Sequence, residues 1–221
     1  DAGTGTITLS NTSNHFTGAV SLTGGASQIV DNNALTLGTV NTGDLTVTSN
    51  GVLDLGRGTV AGNLDANSNG TAIAQSTLGS DHLTVTGTST INAGAGSITL
   101  TQATNDFQGA VSLTGGAVSI RDTNALDISS LSQPNNQALT LQAGGALTLS
   151  AGLTAIDTGS ADLTLSSGTL FDPGIPLAGR NVSLTGSGGL TLSHSVSANA
   201  NGAGTGNLTL VSTNNAIDAS G

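Results

Sequence analysis

The sequence predicts an all-β fold, a right-handed parallel β-helix in which short strands stack into an elongated rod. Three observations carry this. Residues Gly3 to Leu37 recur, without insertion, as Gly94 to Ile128, and about 21 of 35 aligned positions are identical. Short alternating triplets such as Ile7-Thr8-Leu9, Val111-Ser112-Leu113 and Leu163-Thr164-Leu165 run through the whole chain. Helix patterning is missing: apolar spacing at i, i+3, i+4 and i+7 is nowhere sustained, and Gly, Ser, Thr and Asn are poor helix formers.

In each triplet the two aliphatic residues point one way and the Thr or Ser between them points the other. Aliphatic inside and hydroxyl outside is the natural assignment. Between triplets sit turn pairs, among them Gly24-Gly25, Asn50-Gly51, Asn69-Gly70, Gly115-Gly116 and Gly188-Gly189. Their tolerance of positive φ is expected to permit sharp corners.

A sandwich of two sheets is the competing all-β architecture. It calls for longer strands and larger inward residues. This chain has three Phe and no Trp, Tyr, Met or Cys, so its core must be narrow and aliphatic. Stacked coils meet that requirement. At ~20–27 residues per coil the chain would make roughly 8–11 coils, and at about 4.8 Å each the rod would be ~40–55 Å long. The repeat is expected to place Phe16 and Phe107 in equivalent corners, supported by Gly18, Gly24 and Gly25 in one copy and Gly109, Gly115 and Gly116 in the other.

The sequence reads as one β-helix segment over 1–221, a piece of a longer repetitive protein. Gly204 to Leu210 echoes Gly3 to Leu9 and suggests a third copy cut short. One stretch departs from the rhythm. Residues 170–177 hold two of the three Pro, and because Pro cannot donate to a ladder, a loop leaving the stack is expected there. Gln133-Pro134-Asn135-Asn136 is a smaller corner of the same kind.

Charge restricts function. Lys and Glu are absent, the cations are Arg57, Arg121 and Arg180, and 13 Asp give a formal net charge of -10. Three scattered Arg cannot build a phosphate-binding surface, so nucleic acid is not an expected partner. No apolar run approaches the ~18 residues of a membrane span. The regular apolar alternation argues against disorder.

Parallel β-helices also carry polysaccharide lyases and hydrolases, which need converging carboxylates. Asp31, Asp44, Asp54, Asp65, Asp122 and Asp127 instead sit singly beside strands and turns, as corner or solvated residues. An enzyme would require a cluster near Asp44, Asp65 and Asp81. His15 is replaced by Asp106 in the second copy, which speaks against a ligand role. Asp81-His82 lacks a third metal ligand at recognisable spacing, and His194 between Ser193 and Ser195 shows no partner. Sequons at Asn11, Asn69, Asn181 and Asn207 are expected by chance in this composition. Pairs such as Thr46 with Thr48, Thr84 with Thr86 and Thr99 with Thr101 suggest an ice-binding array, but they are not expected to recur on one unbroken face at constant spacing.

The motif Asn105-Asp106-Phe107-Gln108-Gly109-Ala110-Val111-Ser112-Leu113-Thr114-Gly115-Gly116, with Asp122-Thr123-Asn124-Ala125-Leu126 after it, resembles the repeats of large filamentous-haemagglutinin-like bacterial adhesins. Asn14 to Gly25 carries the same pattern. The resemblance implies export by two-partner secretion and a place outside the cell, secreted or on the bacterial surface. No catalytic, cofactor-binding or metal-binding residue carries over.

The expected function is therefore structural. The segment would be a β-helical stalk of an adhesin, without catalytic activity, cofactor or metal. Glycans or proteins of a host or neighbouring cell would be bound through other parts of the full-length protein. A filament subunit associating end to end is the alternative; an enzyme and an ice-binding protein rank below it.

Overall fold

The computed structural model describes residues 1–75, 82–199 and 205–220. Those residues form strands, turns and bends, with no helix among them. All the strand pairings are parallel, and each strand bonds to strands one turn earlier or later. The chain is thus a parallel β-helix, as its alternation requires.

Three faces follow one another around each turn. The first begins with Ile7–Leu9, Ser27–Asp31, Leu45–Ser49, Leu64–Asn67, Ser89–Asn92 and Val111–Thr114. The second includes Ile98–Leu100, Val118–Asp122, Leu139–Ala143, Leu163–Ser167, Val182–Gly186 and Leu208–Ser212. The third includes Arg57–Val60, Leu83–Val85 and Asp106–Phe107. The long strand Leu35–Thr42 bends from the second face into the third.

A single column defines the turns. Leu35, Leu53, Ile73, Ile98, Val118, Leu139, Leu163, Val182 and Leu208 lie directly above one another. Nine residues mark about nine turns. The intervals between them are 18, 20, 25, 20, 21, 24, 19 and 26 residues. The excess in the longer turns is accommodated between strands, so the aliphatic register is kept. All members of this column are buried except Leu208, which is 46% exposed on the last turn.

The 91-residue repeat is not a whole number of turns. Its first element, Ile7–Leu9, pairs with Ser27–Asp31 on the first face. The equivalent Ile98–Leu100 pairs with Val118–Asp122 on the second. From Ile7 the column passes through Ser27, Leu45 and Leu64 to Ser89, which is four turns. Nine further residues carry the chain from Ser89 to Ile98, one face on. The equivalent corners expected for Phe16 and Phe107 are therefore not stacked one above the other. Their local surroundings match, but they face directions one side of the helix apart. Any three faces built from the same alternating strand are interchangeable, which is why such a screw is sterically permitted.

Residues 172–176 form no strand, as their prolines require, yet they do not leave the stack. Phe171 bridges to Leu190 and is fully buried; Pro173, Ile175 and Leu177 also point inward while Asp172, Gly174 and Pro176 point out. Extended proline keeps the in-out alternation without its N–H, and the Pro176 carbonyl still accepts from Ile156 N at 3.0 Å. The segment is a ladder gap rather than an excursion. The suggested third copy at Gly204 lies partly outside the described residues.

Candidate functional site

The feature the two repeat copies preserve is a corner clamp. In the second copy, Asp122 is buried at 1% exposure, and its two carboxylate oxygens accept N–H groups of Phe107 and Asn124, each at 2.6 Å. In the first copy, Asp31 accepts from Phe16 at 2.9 Å and from Asn33 at 3.0 Å. One carboxylate thus ties two successive turns together and satisfies two backbone donors that a turn leaves unpaired. Asn14 and Asn105 complete the clamp. Asn14 donates to the Leu9 and Val30 carbonyls, and Asn105 donates to the Leu100 carbonyl. Asn105 also exchanges two buried amide bonds with Gln75, at 2.8 and 2.9 Å.

Sequence reasoning put Asp31 and Asp122 at corners but missed their burial. The available signal was the joint retention of Asn, Phe and Asp at fixed spacing in both copies. Burial raises the Asp122 carboxyl above its ordinary 3.8; the Phe107 and Asn124 N–H groups pull it down, and nearby Asp106 adds to the rise.

The paired glycines serve close approach, not positive φ. A Cβ on Gly25 or on Gly116 would lie 2.6 Å from a carbonyl oxygen of the turn before, that of Thr4 or Ala95. A Cβ on Gly24 or Gly115 would press on Ile7 or Ile98. None of the four has a left-handed φ, which corrects the turn-based expectation for them; Asn69, Gly70 and Gly189 do adopt it. Gly109 would meet the Gly87 carbonyl, whereas Gly18 has open space around it. Phe107 is fully buried and Phe16 only partly.

Candidate chemistry does not converge among the described residues. Asp44 sits at a corner and accepts the Asn63 N–H at 2.7 Å, Asp65 points outward on the first face, and Asp81 lies outside the described residues. His15 Nδ1 lies 2.9 Å from Asn33 Oδ1 on the surface. His82 is exposed, and its carbonyl accepts from Gly58. No group of three His, Cys, Asp or Glu side chains is placed to hold a metal among the described residues.

His194 does have a partner, contrary to the sequence reading. Ser193 Oγ lies 3.0 Å from His194 Nδ1 and donates to Asp172 Oδ1 at 2.8 Å. This trio has the composition of a catalytic triad but the wrong order. A triad places the imidazole between hydroxyl and carboxylate. Here the hydroxyl is in the middle, its proton already engaged by Asp172. Of the sequon residues, Asn69 and Asn181 spend their side-chain amides on Asn50 and Asp162.

The outward surface is built of small polar side chains. The Thr-x-Thr pairs fall on three faces: Thr46 on the first, Thr84 on the third and Thr99 on the second. One hydroxyl column is nevertheless continuous. Thr99, Ser119, Thr140, Thr164, Ser183 and Thr209 stack in register over six turns of the second face. Beside it runs Arg121, Gln142, Ser166, Thr185 and Val211. Variable turn length hides both columns in the sequence.

A family model described as repeats of unknown function (DUF5649) matches residues 1–23 and 42–114, under half of the chain. No curated protein and no solved structure matches the chain significantly. Among the described residues no helix is long and apolar enough to cross a membrane.

Proposed function

We propose that this chain is a stalk segment of a secreted, cell-surface bacterial adhesin of the filamentous-haemagglutinin-like kind, with a mechanical rather than catalytic task. The observation that carries the reading is the unbroken stack. About nine turns share continuous aliphatic columns, and every turn bonds to the next through parallel ladders. Such a stack resists bending because each coil is tied to its neighbours on several sides. The corner clamps of Asp31 and Asp122 add side-chain ties to the backbone ladder. Net charge of -10 supports solubility and discourages non-specific association of neighbouring stalks.

Immunogold electron microscopy of intact bacteria with antibodies against the 221-residue chain tests the reading. Label standing off from the envelope on unpermeabilised cells is expected. Label that appears only after permeabilisation overturns it.

A further inference from the structure

Arg121 stands apart in this molecule. Arg180 is consumed by a two-pronged ion pair with Asp162, at 2.9 and 3.0 Å, while Arg121 is exposed and forms no ion pair among the described residues. Its chain neighbour Asp122 points into the core with both oxygens engaged. Arg121 lines an open groove of about 210 Å³ with Gln142, Ala143, Gly144 and Ser166. Guanidinium, amide and hydroxyl follow one another on successive turns in direct register.

The surroundings of the groove are unusual for so acidic a chain. Thirteen Asp are distributed along the sequence, yet the outward positions of the six second-face strands from Ile98–Leu100 to Leu208–Ser212 carry none. The result is a strip of hydroxyl and amide groups free of acid on those strands, roughly 24 Å long at about 4.8 Å per turn, with Arg121 as its cation among the described residues. Asp162, the residue before Leu163, adjoins the strip and is held by Arg180; carboxylates farther off act weakly, since charges in water are screened over about 8 Å at physiological salt. The position is also one where the repeat departs from itself: Val30 occupies it in the first copy.

We propose that this strip binds an acidic saccharide, with the Arg121 guanidinium taking a sugar carboxylate side-on and Gln142 and Ser166 bonding to neighbouring sugar hydroxyls. A planar guanidinium matches a carboxylate through two parallel N–H donors. The flanking column of hydroxyls offers both donors and acceptors, which a polyhydroxylated chain requires. A second copy of the protein fits less well. A strip two side chains wide offers only a few hundred Å², against the ~800 Å² per partner of a stable interface. Binding on the side of the rod goes beyond the stalk reading and does not depend on it.

The test is a nuclear magnetic resonance titration of the 221-residue chain with tetragalacturonate, following the Arg121 Nε–H and the Gln142 side-chain amide. Saturable shifts at both are expected. The methyl-esterified tetramer should bind at least about tenfold more weakly, as should Arg121→Lys with its single-point charge. Arg121→Ala should abolish the Gln142 shift with an otherwise unchanged spectrum. Free glutarate, a carboxylate without a sugar, should leave both signals in place. Absence of saturable shifts with tetragalacturonate, equal binding of the ester, equal binding by Arg121→Ala, or equal shifts with glutarate each overturns the proposal.

Discussion

Asp122 shows how one buried side chain organises a corner. Its carboxylate replaces two ladder bonds at a point where the backbone turns. Asparagine could accept only one of those N–H groups and would bring an NH₂ against the other. Asp122→Asn is therefore expected to cost about 1–3 kcal/mol, read from urea unfolding at neutral pH. The pH dependence has a definite sign. Because the folded carboxyl titrates above 3.8, the folded state holds its proton more tightly than the unfolded state. This group is least unfavourable below 3.8, and its stability cost develops as pH rises through the folded value. The stability advantage of the native chain over Asp122→Asn should shrink as pH is raised from about 3.8 to 7. An advantage that grows over that interval would contradict burial as the dominant cause. Asp162 has the opposite sign, since its bond to Arg180 holds it below the ordinary value; its contribution is present above 3.8 and lost on acidification.

The glycine pairs belong to the scale of strands and turns. They stand where one coil settles onto the coil before it, and the contact leaves no room for a methyl group. Gly116→Ala would force its Cβ to 2.6 Å from the Ala95 carbonyl oxygen, a backbone atom that cannot rotate away. The expected loss is about 1–3 kcal/mol. Gly152→Ala is the control, with its nearest neighbour at 3.6 Å and no left-handed φ; its change should stay within about 0.5 kcal/mol. Equal denaturation midpoints for the two variants would show that the coils can separate locally without cost. The alternating triplets made the strands readable at this scale, because period two has one structural meaning when apolar residues are plentiful. The depth of Asp122 was not readable, since an Asp beside a turn looks the same whether it faces water or two N–H groups. Nor was the course of 172–176, where proline removes the hydrogen bond but leaves the extended backbone.

For the whole molecule, each turn touches only its neighbours, so stability is close to a sum of turns and nearest-turn contacts. Central turns are covered on both sides. The last described turn exposes Leu208, Val211 and Ile217. Native-state hydrogen exchange of the 221-residue chain should therefore be slowest at Ser89–Asn92 and Val118–Asp122 and fastest at Leu208–Ser212 and Ile217–Asp218. Uniform protection from one end to the other would mean a single cooperative unit and would refute the nearest-turn picture. By itself the sequence determined that the chain stacks, that its interior is a narrow aliphatic column and that its repeats share corner residues, because side-chain alternation and self-similarity are local properties. Only the tertiary structure decided that the repeat advances by one face and that Arg121, Gln142 and Ser166 meet on an acid-free strip. Turns of 18 to 26 residues place those neighbours at separations that no constant period reveals, and register is settled by which aliphatic residues fill the column beneath.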